Sequence, residues 1–148
     1  MDTSYHIIKD GRKLITQDLK SLMEAFDGRV VLDHYRGLLQ LSNIPQPPIP
    51  IGWTLNRTLA QLMKRPGWPV YPADLVRGTQ RDPMNAGAFR VACHRLNKIF
   101  REHGYGKVIH PGSYAAASIE SDGSRGRFIN PDPHELYLVL GPIKNNVS

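Results

Sequence analysis

The feature that most constrains this chain is a periodic stretch in its second half. From near Asn85 to about His103, with Gly104 as the stop signal, Phe89, Ala92, Cys93, Leu96, Ile99 and Phe100 recur at intervals of three and four. A step of about 100° per residue puts all six on one side, which predicts a long amphipathic helix with that side in a core. The other side collects Gly87, Arg90, Val91, His94, Lys98 and Arg101, flanked by Arg95 and Asn97, with Glu102 as its acid. Basic residues interspersed with His and Asn are what a helix entering a major groove needs. Arg and Lys reach phosphates or guanine edges, and Asn can pair bidentately with adenine. Gly87 near the helix start permits close backbone approach. The competing reading is an ordinary solvated amphipathic helix.

The charge balance favours the first reading. The chain has 148 residues and a net charge of +6. Residues 1–50 hold six basic and six acidic groups, whereas residues 51–110 hold ten basic and three acidic, and residues 111–148 three and four. The whole excess therefore lies in the middle, where it attracts a polyanion at long range, with nucleic acid the commonest candidate. A basic surface kept for solubility is the alternative.

The remaining segments are shorter and read from turn chemistry. Asp10-Gly11 between two β-prone runs predicts a hairpin from Tyr5 to Ile15. Asp18 is read as the N-cap of a short helix through about Phe26, stopped by Asp27-Gly28. Val30–Leu32 and Leu38–Leu41 predict a second strand pair around a turn at His34–Gly37. Prolines at 45, 47, 48 and 50 exclude a helix or a central strand there and predict an extended connector. Beyond it, Thr54 is read as the N-cap of a helix whose buried face is Leu55, Leu59, Leu62 and Met63, ended by Pro66-Gly67. Pro72 opens a short helix over Ala73–Arg77 that stops at Gly78, and a turn with Thr79, Gln80 and Arg81 leads to the long helix. Lys107–His110, a turn at Pro111-Gly112-Ser113, and Tyr114–Ile119 predict a further hairpin. Residues 121–127 read as a flexible polar loop whose Arg125 and Arg127 could touch a phosphate backbone or be idle, and Leu136–Leu140 as an added strand.

The expected organisation is an N-terminal β-hairpin and helix region over 1–44, a Pro-rich connector over 45–50, a basic domain over 51–120, and a loop with a C-terminal strand or tail over 121–148. One cysteine cannot close an intramolecular bridge, and no apolar run approaches the roughly 20 residues of a membrane helix, so a cytoplasmic, nucleoid-associated protein with no membrane partner is expected. The histidines form no ligand pair, Cys93 lies on the apolar side of its helix, and the Gly-x-Ser-x-Gly and His-Glu-x-x-His motifs are absent. No enzyme activity, metal or cofactor is expected.

The segment from Thr54 to about Ala116 resembles the winged-helix output domain of OmpR-type response regulators. Thr54–Gly67 is similar to that family's first helix, Val70-Tyr71 through Leu75–Gly78 to its second, and Phe89–Phe100, with its Arg95-Leu96 step, to its recognition helix. Ile109–Tyr114 is similar to its wing. The resemblance implies an α+β fold: a winged helix-turn-helix of three helices plus a C-terminal β-hairpin wing, preceded by a small antiparallel β region with a short helix. It implies that Arg90, His94, Arg95 and Asn97 face the major groove or its phosphates and that His110 sits where the wing arginine reaches the minor groove. With the basic pattern, the expected DNA-binding set is Gly87, Arg90, Val91, His94, Arg95, Asn97, Lys98 and Arg101 on the helix, Lys107, His110, Ser113 and Tyr114 on the wing, and Arg57, Lys64, Thr79, Gln80 and Arg81 at phosphates. There is no room for a receiver domain ahead of the basic region, so no phosphorylation switch is expected. The functional expectation is sequence-specific binding of double-stranded DNA, singly, as a homodimer or in tandem, in a bacterial or phage-type transcription regulator. The alternative is a protein-interaction module presenting the same basic surface to an acidic partner, and a partner at the C-terminal region is a further expectation.

Overall fold

The computed structural model describes residues 3–24, 28–41, 46–75, 86–112, 126–132 and 134–143. The first strands, β1 (Tyr5–Lys9) and β2 (Arg12–Thr16), pair antiparallel as expected. Their two-residue turn has Asp10 at φ 49° and Gly11 at φ 85°, the pair of positive φ values that a twisted hairpin requires. Helix α1 (Leu19–Glu24) begins where Asp18 Oδ1 accepts the Ser21 backbone N–H at 3.0 Å. That bond holds the Asp18 carboxyl below its ordinary range. Strands β3 (Val30–Asp33) and β4 (Leu38–Leu41) form the second hairpin. The proline segment ends in a two-residue edge strand, β5 (Ile49–Pro50), where a residue without an N–H is tolerated.

The strand order is β2-β1-β8-β3-β4-β5, where β8 is Leu136–Pro142. The C-terminal run, expected only as an added strand, is central, antiparallel to β1 and parallel to β3. Both faces of the sheet are covered. Ile8, Val30, Leu32, Leu39, Leu136 and Leu138 point into the main core with the later helices, whereas Ile7, Val31, Tyr137 and Val139 point to the other face, where Leu22 of α1 covers them. This alternation is the two-residue period of a strand applied to a sheet buried on both sides.

Helix α2 (Trp53–Lys64) buries Leu59, Leu62 and Met63 as its spacing predicts. Its cap is Gly52, so Thr54 lies inside the first turn, where its carbonyl accepts the Thr58 hydroxyl at 2.7 Å. Gly67, at φ 85°, follows the helix end. Of the short helix expected over Ala73–Arg77, the described part is a single 3-10 turn, Pro72–Asp74, after which Leu75 returns to extended backbone at φ −110° and ψ 122°; Val76 and Arg77 lie outside the described residues. Asp74 closes that turn by accepting the Tyr71 N–H at 2.8 Å. Helix α3 (Ala86–Glu102) spans the predicted periodic stretch, and Gly104 at φ 83° turns the chain out of it.

The hairpin after α3 differs from its expected form. Strand β6 (Ile109–Pro111) pairs with β7 (Arg127–Ile129), an unexpected partner, and the expected partner Tyr114–Ile119 lies outside the described residues. Phe128 and Ile129 are the buried side chains of β7. The far edge of β7 pairs with Val70, whose N–H and carbonyl both bond Arg127 at 2.7 and 2.9 Å. The overall class is therefore α+β, with three α-helices and eight mostly antiparallel strands in sheets of six and two among the described residues. One core runs from Ile8 of β1 through α2 and α3 to Leu138 of β8. Among the described residues no helix is long and apolar enough to cross a membrane.

Candidate nucleic-acid interface

The two sides of α3 separate as the periodicity requires. Phe89, Ala92, Cys93, Leu96 and Phe100 are buried, and Ile99 packs against their cluster. Gly87, Arg90, Val91, His94, Arg95, Lys98 and Arg101 are exposed, so seven of the eight expected helix residues share one solvent face. Burial pushes the Cys93 thiol up to about 12, so the buried side of the helix adds no thiolate charge beneath this face. Glu102, the acid of α3, is held 3.9 Å from Lys98, which partly neutralises that lysine and leaves the guanidinium groups dominant.

Asn97 is the eighth, and it does not belong to the reading face. Its Nδ2 donates to the Ile109 carbonyl at 2.9 Å, and its Oδ1 accepts the Val108 and Ile109 N–H groups at 3.2 and 2.9 Å. Oδ1 already accepts two N–H groups in fixing the start of β6 against α3, so the bidentate pair with adenine, which needs that oxygen, is not open to this side chain. Its role in the fold is to tie the hairpin to the helix.

On the hairpin side, Lys107 is exposed beside Gly106, whose φ of 70° swings the chain from α3 into β6. His110 is a second correction. Its ring stacks on Phe128 with centroids 5.5 Å apart, and its Nε2 is buried without a hydrogen-bond partner among the described residues, so it is a packing residue of the hairpin rather than a probe of the minor groove. Burial and then the Lys107 charge lower its pKa, which keeps the ring neutral. Ser113 and Tyr114 lie outside the described residues, as do Thr79, Gln80 and Arg81.

Of the expected phosphate contacts on α2, Lys64 is exposed, with Nζ 3.5 Å from Gln61 Oε1, whereas Arg57 is buried in the fold at 9% exposure and cannot meet a phosphate. Asn56 is buried beside it. Its Nδ2 donates to the His34 carbonyl at 2.9 Å and its Oδ1 lies 2.8 Å from His34 Nδ1, which joins α2 to the β3–β4 turn. Arg127, expected in a flexible polar loop, is instead part of β7 and lines a cleft between α3 and the hairpin. That placement was hidden because it depends on pairing across residues 112–126.

Two concavities flank the basic face. One, of about 610 Å³, lies between the start of α2 and the first half of α3 and exposes Trp53 and Val91 beside Arg95. The other, of about 330 Å³, lies between the second half of α3 and the hairpin. Among the described residues no group of His, Cys, Asp or Glu could hold a metal ion. No protein family, curated protein or solved structure matches this chain.

Proposed function

We propose that the protein binds double-stranded DNA in a sequence-specific manner through a winged helix-turn-helix and regulates transcription. In this reading α2, the turn at Pro72–Asp74 and α3 are the helical part, and the β6–β7 hairpin is the wing. The observation that carries the reading is the exposed face of α3. Arg90, His94, Arg95 and Arg101 stand on one side of a helix whose other side is core, and Asn97 braces that helix against the hairpin. The bond pair between Val70 and Arg127 adds support, since it seats the segment after α2 against the hairpin and so fixes helices and wing in one frame. Arg90 and Arg95 meet base edges or phosphates in the major groove, and Lys64 and Lys107 contact the backbone.

The test is a mobility shift on random and genomic fragments over a salt series. Binding should weaken with a log-log slope of about −0.9 for each phosphate neutralised. Replacing Arg95 should relax sequence preference at a cost of about 1–3 kcal/mol, whereas replacing Lys64 should weaken all sequences alike. Absence of any retention at low salt refutes the proposal. A second reading, an acidic protein partner, is favoured by the groove that sets Trp53 and Val91, both exposed, beside Arg95. Aromatic residues and arginine are the side chains that dominate protein interfaces. It is distinguished by binding that survives the salt at which DNA is released.

A further inference from the structure

We propose that the cleft between the second half of α3 and the β6–β7 hairpin is a built pocket for a single phosphate group, held by Arg101, Lys107 and Arg127 with His94 at its mouth. The inference deepens the DNA reading, on which it depends only for the source of the phosphate. The cleft has a volume of about 330 Å³, room for a phosphate with part of the sugar it is esterified to. Among the described residues its walls are lined by two arginines, one lysine and one histidine, and by no carboxylate. Three fixed positive charges exceed what a carboxylate ligand would call for and match a tetrahedral anion with several acceptor oxygens.

Three observations make this more than a patch of surface charge. Arg127, which lines the cleft, has its Nε buried with no acceptor among the described residues, so the pocket includes a cationic side chain that is already partly stripped of water and not fully partnered. Such a group costs free energy until an acceptor arrives. The walls are also tied to the rest of the fold, because Asn97 bonds Val108 and Ile109 at the start of β6 while Val70 bonds β7 at Arg127. Finally, the floor is electrically quiet. Cys93 beneath it stays a neutral thiol, and Glu102 on the same helix is engaged with Lys98. A site preorganised in this way holds an anion without rearranging first.

The experiment is a titration of the full chain with inorganic phosphate, and separately with ribose 5-phosphate, at constant ionic strength set by chloride, followed by amide resonances. Saturable shifts confined to residues 93–97, 101, 106–111 and 127, with a Kd of about 1 mM or tighter, are expected. Arg101→Gln and Lys107→Gln, both at exposed positions and so compatible with folding, should each weaken binding several-fold. Lys13→Gln, an equal loss of charge on β2, should leave it unchanged. No saturable shift at those residues, or equal weakening by all three variants, overturns the proposal. If phosphate fails while DNA is still retarded, this inference falls and the DNA reading stands. If phosphate binds and a duplex displaces it, the source is the DNA backbone. If phosphate or its ester binds while DNA does not, the pocket serves a free phosphate ester and the DNA reading falls alone.

Discussion

Replacing Asn97 tests the relation between helix and hairpin most directly. The Asn97→Ala variant removes a donor to the Ile109 carbonyl and an acceptor for two N–H groups, at 2.9, 3.2 and 2.9 Å. Val108 and Ile109 are each 2% exposed, so the backbone groups released are poorly placed to find water. Three net hydrogen bonds at about 1 kcal/mol each, raised by the cost of orphaned buried groups, give an expected loss of about 3–4 kcal/mol. In a domain of this size that lowers the midpoint of thermal unfolding by about 10 °C. Urea unfolding followed by circular dichroism measures the first quantity and a thermal scan the second. Asn97→Asp separates the components, since it keeps the acceptor for both N–H groups but sets a carboxylate oxygen against the Ile109 carbonyl. It should therefore be destabilised as well, and less so at low pH, where the protonated carboxyl can donate again. If Asn97→Ala unfolds within about 0.5 kcal/mol of the parent, as ordinary surface substitutions do, the bracing role is refuted and Asn97 returns to the candidates for base contact.

Three further outcomes are expected. His110 has its pKa lowered below its usual 6.5 by burial, so as pH falls the unfolded chain takes up the proton first; the ring's contribution to stability is intact above that value and is lost as pH falls through it. His110→Phe keeps the stack on Phe128, so its stability should depend less on pH between 7 and 5 than the parent's does, and parallel melting curves over that range would contradict this. Gly126→Ala would place a Cβ 2.9 Å from Pro69 Cβ and 3.0 Å from Tyr71 Cε1; the ring of Pro69 cannot yield, so a loss of about 1–3 kcal/mol in urea unfolding is expected, and an unchanged midpoint would mean that the hairpin sits farther from Pro69. Asn56→Leu fills the same space but strands the carbonyl and ring nitrogen of His34, for a loss of about 1–3 kcal/mol, and a variant as stable as the parent would show that α2 is not held through that pair.

What the sequence makes legible follows from the range of the interactions. Asp10-Gly11, the Asp18 cap and the face of α3 are local: a turn needs particular φ values at two positions, a cap needs an oxygen ahead of an N–H, and a helix repeats itself within a few residues. Each is written in neighbours. The centrality of β8 is not, because the run at 136–142 is inserted between β1 and β3, strands more than a hundred positions earlier, and nothing in its own composition says whether it lies at an edge or in the middle. The pairing of β6 with β7 is hidden for the same reason. A turn signal at Pro111-Gly112 points to the next residues, whereas the strand that pairs with β6 begins at Arg127.

The charge excess shows how the same limit bears on function. Ten basic groups between residues 51 and 110 are one number in the sequence, yet the fold sorts them by environment. Arg57 is buried with α2, Arg65 lies 4.3 Å over the Trp68 ring, and Lys98 is drawn to Glu102. Arg90, Arg95, Arg101 and Lys107 remain exposed along α3 and at the start of the hairpin, and Arg127, from outside the basic segment, joins the last two around one cleft. Asn97 reverses in the same way: its spacing on the helix is the same whether it meets a base or a backbone carbonyl, and only the approach of residues 108 and 109 decides. A polyanion responds to the charges that share a surface and a distance, not to those that share a stretch of chain. The proposed interface is therefore narrower than the excess that pointed to it, and its basic groups gather where helix and hairpin meet as well as along the helix.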